Sequence, residues 1–208
     1  MKSPRLVGRS VTLRALTSGD AAGLAAAAAE SRENYLYNPV PEGIEGAIVY
    51  VDRALRQQRE GLRMPFVIEW NARVVGTTSY SELTPWEWSE GSPQQRTDIP
   101  DAVEVGYTWL AHSAQRTVVN TEAKYLLFRH AFEVWKVHSV CLKTDLRNAR
   151  SRAAIERVGA RFDGVRRAHC PGVDGTVRTS AYFSILKEEW SAVRTMLETR
   201  LQSQVSRG

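Results

Sequence analysis

The sequence alternates in the manner of a β-strand over Val103-Glu104-Val105-Gly106-Tyr107-Thr108-Trp109-Leu110. The strand ends at Ala111-His112-Ser113, a turn over residues 115–121 follows, and Lys124 to Trp135 has strong helical character. A strand that runs straight into a helix aims unpaired backbone N–H groups, and the positive end of the helix dipole, at one place. Such a place suits a phosphate group. Phosphate turns usually contain glycine, and none occurs between Gly106 and Gly159, so the ligand has to be inferred from the neighbouring segments.

The composition fits one globular domain over residues 1–208. Of the 208 residues, 43% are hydrophobic and 25% are charged, and a chain of this size can bury a core without a metal or disulfide. No apolar run approaches the roughly 20 residues of a membrane helix. The segment from Met1 to Arg5 lacks the apolar core of a secretion signal. We therefore expect a cytoplasmic protein with no membrane partner.

The charge balance predicts an acidic ligand without specifying nucleic acid. The net charge is +5 at pH 7, and the arginines are spread along the chain instead of forming one stripe. A basic enzyme whose cosubstrate carries phosphates accounts for this charge as well as an RNA partner does. Nucleic acid is therefore not the expected partner. The histidines and cysteines show no metal-ligand spacing, and no metal site is predicted.

Helical and strand-like segments extend this pattern in both directions and predict an α+β domain. A long polar stretch, 83–101, carries Trp86 and Trp88 and precedes the central strand. The predicted order is strand 11–16, helix 21–30, helix 44–59, hairpin 65–70 with 73–80, strand 103–110, helix 124–135, strand 139–144, a helix from Asn148 to Gly159, hairpin 161–170 with 176–186, and helix 187–201.

Five local motifs in this order resemble the GNAT acyltransferase superfamily, specifically its RimJ/RimL-type branch. They are Glu104-Val105-Gly106-Tyr107 with Trp109-Leu110, Thr121-Glu122-Ala123 with His130-Ala131-Phe132-Glu133, Asn148-Ala149-Arg150-Ser151-Arg152 through to Gly159-Ala160, Phe162-Asp163-Gly164-Val165-Arg166, and Tyr182-Phe183-Ser184-Ile185 with Glu189-Trp190. No single motif is specific. Five in register at the family's spacing are specific for the family, though not for a substrate.

The resemblance implies a GNAT fold: a mixed central sheet with helices on both faces, splayed into a V between the strands near 103–110 and 139–144. Acetyl-CoA, or another acyl-CoA, would lie in the V as the cosubstrate, with its pantetheine arm along Trp109 and Leu110. Its pyrophosphate would lie on the turn formed by Gln115, Arg116, Thr117, Val118, Val119, Asn120 and Thr121.

This turn departs from the family pattern, which commonly has small residues where Val118 and Asn120 stand, whereas Gln115 matches. Glycine lets a backbone approach a ligand closely. A valine with helical φ and ψ can still present its N–H, so coenzyme binding survives in principle.

The resemblance also implies catalytic and binding roles, each with a structural alternative. Glu104 would be the base, acting through water, or else a solvated strand carboxylate paired with an arginine. Ser151 would protonate the leaving thiolate, or else be a first-turn helix hydroxyl. Asn148 would contact pantetheine, cap the helix, or do both. Arg152 would reach a coenzyme phosphate or lie on a solvated helix face.

The predicted function is acyl-CoA-dependent N-acyl transfer, with acetyl transfer to a primary amine by direct attack on the thioester. The acceptor would be an amine-bearing small molecule or a protein N-terminus, and a homodimer is common in this branch. Loop aromatics are acceptor-side candidates unless they pack on their own scaffold: Trp86, Trp88, Tyr35 and Tyr37.

One alternative function, motivated by the substituted turn, is a catalytically degenerate CoA-binding or regulatory module. An RNA- or ribosome-associated role rests on the basic charge and on the branch's ribosomal protein substrates.

Overall fold

The computed structural model describes residues 3–83, 85–96 and 99–205. Met1 and Lys2, to which the expectation about a secretion signal refers, lie outside these ranges, as do Thr84, Thr97 and Asp98 of the polar stretch. The described strands are β1 (Leu6–Val7), β2 (Val11–Ala15), β3 (Arg63–Trp70), β4 (Arg73–Ser81), β5 (Ala102–Leu110), β6 (Ser139–Asp145), β7 (Arg161–Pro171) and β8 (Val177–Leu186). The helices are α1 (Ala21–Ala29), α2 (Gly43–Arg59), α3 (Val119–Arg129), α4 (Ala149–Arg157) and α5 (Trp190–Val205).

The predicted order of elements is confirmed, with differences at the ends of some elements. The sequence pattern does not predict β1, because two residues carry no periodicity. α3 begins before the predicted Lys124, and its continuation, His130–Trp135, is π-helical. A 3-10 turn, Lys187–Glu189, precedes α5. No helix in the described ranges is both long enough and apolar enough to cross a membrane.

The strands form one mixed sheet in the order β1-β2-β3-β4-β5-β6-β8-β7. Neighbouring strands are antiparallel except for β5 and β6, which run parallel. This mixed sheet, open at both edges, confirms the predicted α+β architecture.

Helices cover both faces of the sheet, as predicted. The Tyr80 hydroxyl donates to the carbonyl of Leu127 in α3 at 2.5 Å. The hydroxyl of the preceding residue, Ser79, accepts from Arg63, whose guanidinium also contacts Tyr50 in α2. Because consecutive strand residues point to opposite faces, α2 and α3 lie on opposite sides of β4. We call these the α2 face and the α3 face.

The parallel pairing of β5 and β6 is short. Ala102, Val103 and Glu104 align with residues 139–141, and the register ends there. Beyond this point β5 pairs only with β4 among the described strands, and its register shifts opposite Thr78. Tyr107, with φ of 51°, lies in this β-bulge and bends the strand. The predicted V between the two strands is confirmed.

The polar stretch between β4 and β5 packs onto its own scaffold at its tryptophans. The Trp86 ring stacks on His138 with a centroid separation of 5.5 Å, and Trp88 contacts both rings. Buried Asp101 accepts hydrogen bonds from the Trp86 backbone N–H at 2.8 Å and from Arg96 at 2.9 Å. These contacts match the packing alternative given above for the two tryptophans.

Candidate active site

Two helix N-termini meet at the open end of the cleft between β5 and β6. The strands are parallel, so their carboxyl ends lie at the same edge of the sheet, and α3 and α4 begin just beyond them. Arg150, in the first turn of α4, donates a hydrogen bond to Gln115 Oε1 in the turn before α3. The structure thus brings together the predicted site residues of both turns.

The turn over 115–121 has its unusual backbone at a position that the sequence pattern does not single out. Arg116 has φ of 61°, in the left-handed region, which disfavours residues other than glycine. Val118 has φ of −63° and ψ of −23°, which are ordinary helical values. The valine therefore does not obstruct the start of the helix, and position 116 is where a glycine would relieve strain.

The start of α3 provides backbone donors, because the first N–H groups of a helix have no partner within it. Val119 N–H donates to Thr117 Oγ1 at 3.2 Å, and the N–H groups of Asn120 and Thr121 follow it at the same helix end. Arg116 is exposed beside them. The arrangement is of the kind that binds phosphate.

The open edge of β5 is supported by aromatic side chains. Trp109 is buried, with ring centroids 6.1 Å from Tyr35 and 6.4 Å from Tyr50. The Leu110 carbonyl accepts hydrogen bonds from the Tyr35 hydroxyl at 2.8 Å and from Gln115 Nε2 at 2.9 Å. Tyr35 is therefore a scaffold residue. A ligand along this edge would use backbone groups other than the Leu110 carbonyl.

The start of α4 shows one of the two roles predicted for Asn148. Its side chain accepts a hydrogen bond from Ser151 N–H at 3.0 Å, so it is the N-cap of the helix. Arg152 is half-buried, and its Nε has no hydrogen-bond partner in the described part of the chain. Tyr37 also reaches this end of the cleft, since the Arg147 guanidinium lies 5.1 Å from its ring centroid.

Glu104 lies where the pairing of β5 and β6 ends, on the α2 face. It is 4% exposed, and its Oε2 lies 2.6 Å from Lys143 Nζ. Lys143 also contacts Glu82 Oε1 at 3.1 Å. Burial raises the pKa of Glu104, although the Lys143 ammonium opposes the rise. Gly106 leaves room for this carboxylate, because a Cβ there would lie 2.6 Å from Glu104 Oε1.

Lys124 is a buried cation on the α3 face that the sequence analysis did not single out. Its Nζ donates to Thr108 Oγ1, in the bulge of β5, at 2.7 Å, and that hydroxyl lies 2.9 Å from Thr78 Oγ1. Burial lowers the pKa of Lys124 to about 7, against an opposing effect of Glu104. A lysine in a helix with few other polar positions is the signal that could have identified it.

The described residues contain no group of three or more histidine, cysteine, aspartate or glutamate side chains that could hold a metal ion.

Comparison with known proteins gives a consistent set of relatives. A family model described as an acetyltransferase (GNAT) domain matches residues 10–161. A GCN5-related N-acetyltransferase from Brucella melitensis has a TM-score of 0.81 and 23% identity, covering 97% of this chain and 86% of that chain. Mycobacterium smegmatis RimJ in complex with CoA-disulfide has a TM-score of 0.74 and 22% identity, covering 95% and 93%. At these identities the two structures show the fold alone.

One curated relative is similar in sequence over a shorter region. "Putative ribosomal N-acetyltransferase YdaF" from Bacillus subtilis (strain 168) is 33% identical over 87 residues, which are 42% of this chain and 46% of that protein. The match thus spans less than half the length of this relative. It agrees with the RimJ/RimL-type branch expected from the motifs.

Replacing Lys124 with methionine should reduce the increase in the free energy of unfolding between about pH 7 and pH 10.5. An unfolded lysine keeps its proton up to pH 10.5, whereas native Lys124 loses it near pH 7. Between these values the unfolded state binds the additional proton, so the free energy of unfolding rises with pH by at most about 1.4 kcal/mol per unit. Urea unfolding at about pH 7 and about pH 9.5 measures this slope.

Lys187→Met, which removes an exposed lysine, should keep the wild-type slope. A wild-type slope in Lys124→Met would show that the native lysine stays protonated.

Two glycine substitutions in the turn should act in opposite directions. Arg116→Gly removes the side chain from a residue with left-handed backbone angles and so relieves backbone strain. It should raise the free energy of unfolding by roughly 0.5–1 kcal/mol. Val118→Gly replaces a residue that already has helical angles and should lower the free energy of unfolding by a similar amount, roughly 0.5–1 kcal/mol. Urea unfolding measures both, and calorimetry with acetyl-CoA should show no tighter binding for Val118→Gly. Tighter binding would mean that the valine hinders the coenzyme.

Proposed function

The chain belongs to the GNAT acetyltransferase family, and on that premise we propose that it transfers an acetyl group from acetyl-CoA to a primary amine. The observation that carries the proposal is the cleft that opens where the β5–β6 register ends. A buried carboxylate, Glu104, lies at its apex, and two helix N-termini lie at its mouth. A cleft with these features can hold an anionic thioester and deprotonate an amine beside it.

The coenzyme would lie along the open edge of β5. Backbone groups near Trp109 and Leu110 would meet the pantetheine amides, as an added strand would. The turn from Gln115 to Thr121 would bind the pyrophosphate through N–H groups at the start of α3. Asn148 would contact pantetheine in addition to capping α4. Arg152 is half-buried, and its buried Nε has no hydrogen-bond partner in the described part of the chain, which supports a role for this residue in binding a coenzyme phosphate.

Glu104 would act as the base and Ser151 as the acid. The amine nitrogen attacks the thioester carbonyl carbon, a C–N bond forms and the C–S bond breaks. The amine proton passes through water to Glu104, and the Ser151 hydroxyl protonates the leaving thiolate. The raised pKa of Glu104 suits a base, because it makes the carboxylate a better proton acceptor. Lys143 would keep that carboxylate ionised.

The acceptor would be a protein N-terminus or an amine-bearing small molecule. The name of YdaF supports the protein acceptor, because it calls that relative a ribosomal N-acetyltransferase. We also propose that residues 1–208 form a single acyltransferase domain, that the protein is cytoplasmic, and that it can form a homodimer. The core supports the single domain, since its buried side chains form one cluster from Leu6 to Leu197.

Glu104→Gln should bind acetyl-CoA and lose most of the transfer rate. Loss of a general base typically costs about a hundredfold to ten-thousandfold in rate. Calorimetry with acetyl-CoA measures binding, and thiol release with a panel of amines measures turnover. Binding without turnover in the wild type would contradict acetyl transfer and favour a CoA-binding module. No binding would contradict both functions.

Lys143→Met should move the acidic limb of the pH–rate profile to higher pH. Lys143 opposes the rise in the Glu104 pKa, so its removal raises that pKa further. The base is active only when ionised. With a higher pKa, Glu104 becomes protonated earlier as the pH is lowered, so the loss of rate on acidification begins at a higher pH. Profiles with one acceptor for wild type, Lys143→Met and the exposed-site control Lys187→Met measure the displacement. An unchanged limb in Lys143→Met would show that Lys143 does not tune the base.

A further inference from the structure

Arg63, at the start of β3, is a buried cation without an acidic partner. It is 4% exposed, and in the described part of the chain no carboxylate oxygen lies within 4.0 Å of its guanidinium. Arginine is rarely buried this deeply unless it is paired, because removing a charge from water is costly. The proposed acetyl transfer does not use this residue.

The described groups that contact the Arg63 guanidinium are neutral. Its Nε donates to Ser79 Oγ at 2.7 Å. In the described part of the chain, its terminal nitrogens make long contacts, 3.3 Å to the Tyr50 hydroxyl and 3.5 Å to Gln57 Oε1. The Tyr107 ring lies 4.0 Å from the guanidinium carbon. A guanidinium has five donors, so this shell leaves both charge and donor capacity for a bidentate anion.

Arg63 and Glu104 lie over adjacent positions of the same sheet face. Arg63 reaches Ser79, and Ser79 is the register partner of Gly106. The Glu104 carboxylate leans over Gly106, where a Cβ would lie 2.6 Å from its Oε1. Partner residues on antiparallel strands are roughly 5 Å apart. A cation and the proposed base therefore face the α2 side of the sheet close together.

We infer that Arg63 is the anion-recognition residue of the acceptor pocket, and that the acceptor is an amine with a carboxylate only a few bonds away. This inference rests on the proposed function. The amine would lie at Glu104, directly or through one water, while its carboxylate pairs with the terminal nitrogens of Arg63. Hydrogen bonds of about 2.8 Å at each end would hold the acceptor between the base and the cation.

Tyr107 covers this subsite and can uncover it. Tyr107 is 44% exposed, whereas Arg63, whose guanidinium stacks on the Tyr107 ring, is buried, so the ring lies between Arg63 and solvent. Rotation of a half-exposed side chain is fast. The bulge conformation of Tyr107, with φ of 51°, places the ring on this face.

Matched acceptor pairs test the inference. Glycine, β-alanine and γ-aminobutyrate are compared with their carboxamides, and a C-terminally amidated Ala-Asp peptide is compared with its Ala-Asn counterpart. Wild type should prefer the carboxylate in at least one pair by about tenfold to a hundredfold in kcat/KM, as expected for charge-assisted hydrogen bonds. The free amino acids and the peptide distinguish a small zwitterion from an acidic protein N-terminus.

Arg63→Gln should reduce that preference to about one, and Arg63→Lys should keep part of it. Arg59→Gln, which removes an exposed arginine of α2, should retain the full preference. Acetyl-CoA binding is the control for folding in each variant. If Arg63→Gln does not fold, the wild-type protein alone still tests the inference. Equal turnover of the carboxylate and the uncharged member of every pair would overturn it.

Calorimetric titration of the protein–CoA complex with the same pairs separates the two proposals. Carboxylate-selective binding that depends on Arg63, without thiol release from acetyl-CoA, would keep the inference and overturn acetyl transfer. Thiol release with no carboxylate selectivity would keep acetyl transfer and overturn the inference. Neither selective binding nor turnover would overturn both.

Discussion

Three backbone register pairs join β5 to β6, and the geometry of the site depends on where that pairing stops. The β-bulge at Tyr107 bends β5 away after Glu104. The bend leaves this edge of β5 without a neighbouring strand in the described part of the chain. An unpaired edge is normally a liability in a sheet, and in the proposed function it is where the coenzyme docks. Because both strands point the same way, α3 and α4 also begin at the open end, where Gln115 and Arg150 touch.

The bulge also divides the buried charges between two faces of the sheet. Glu104 and Arg63 lie on the α2 face, whereas Lys124 lies on the α3 face and holds the bulge through Thr108. Each of these groups is less than a tenth exposed. Burial of that kind costs stability, and the large apolar core has to offset it. Groups whose pKa is shifted by burial, as those of Glu104 and Lys124 are, cluster at functional positions.

The sequence predicted the elements well because their signals are local. The alternation of apolar and polar residues identified the strand at 103–110, and helix propensity together with capping residues identified the helices. The V-shaped split came from the family resemblance, since strand pairing is a tertiary property. Arg116 was missed as the left-handed residue because backbone angles of a non-glycine residue leave no mark in composition. The burial of Lys124 and Arg63 was missed because it depends on strands and helices distant in sequence.

Backbone amide hydrogen exchange, with and without CoA, tests the central claim most directly. The claim is that the coenzyme occupies the cleft opened by the end of the β5–β6 pairing. CoA should slow exchange in residues 105–110 of β5 and in the turn 115–121, with little change in the β7–β8 hairpin. Binding that protects other segments, while these two exchange as in the free protein, would contradict the account.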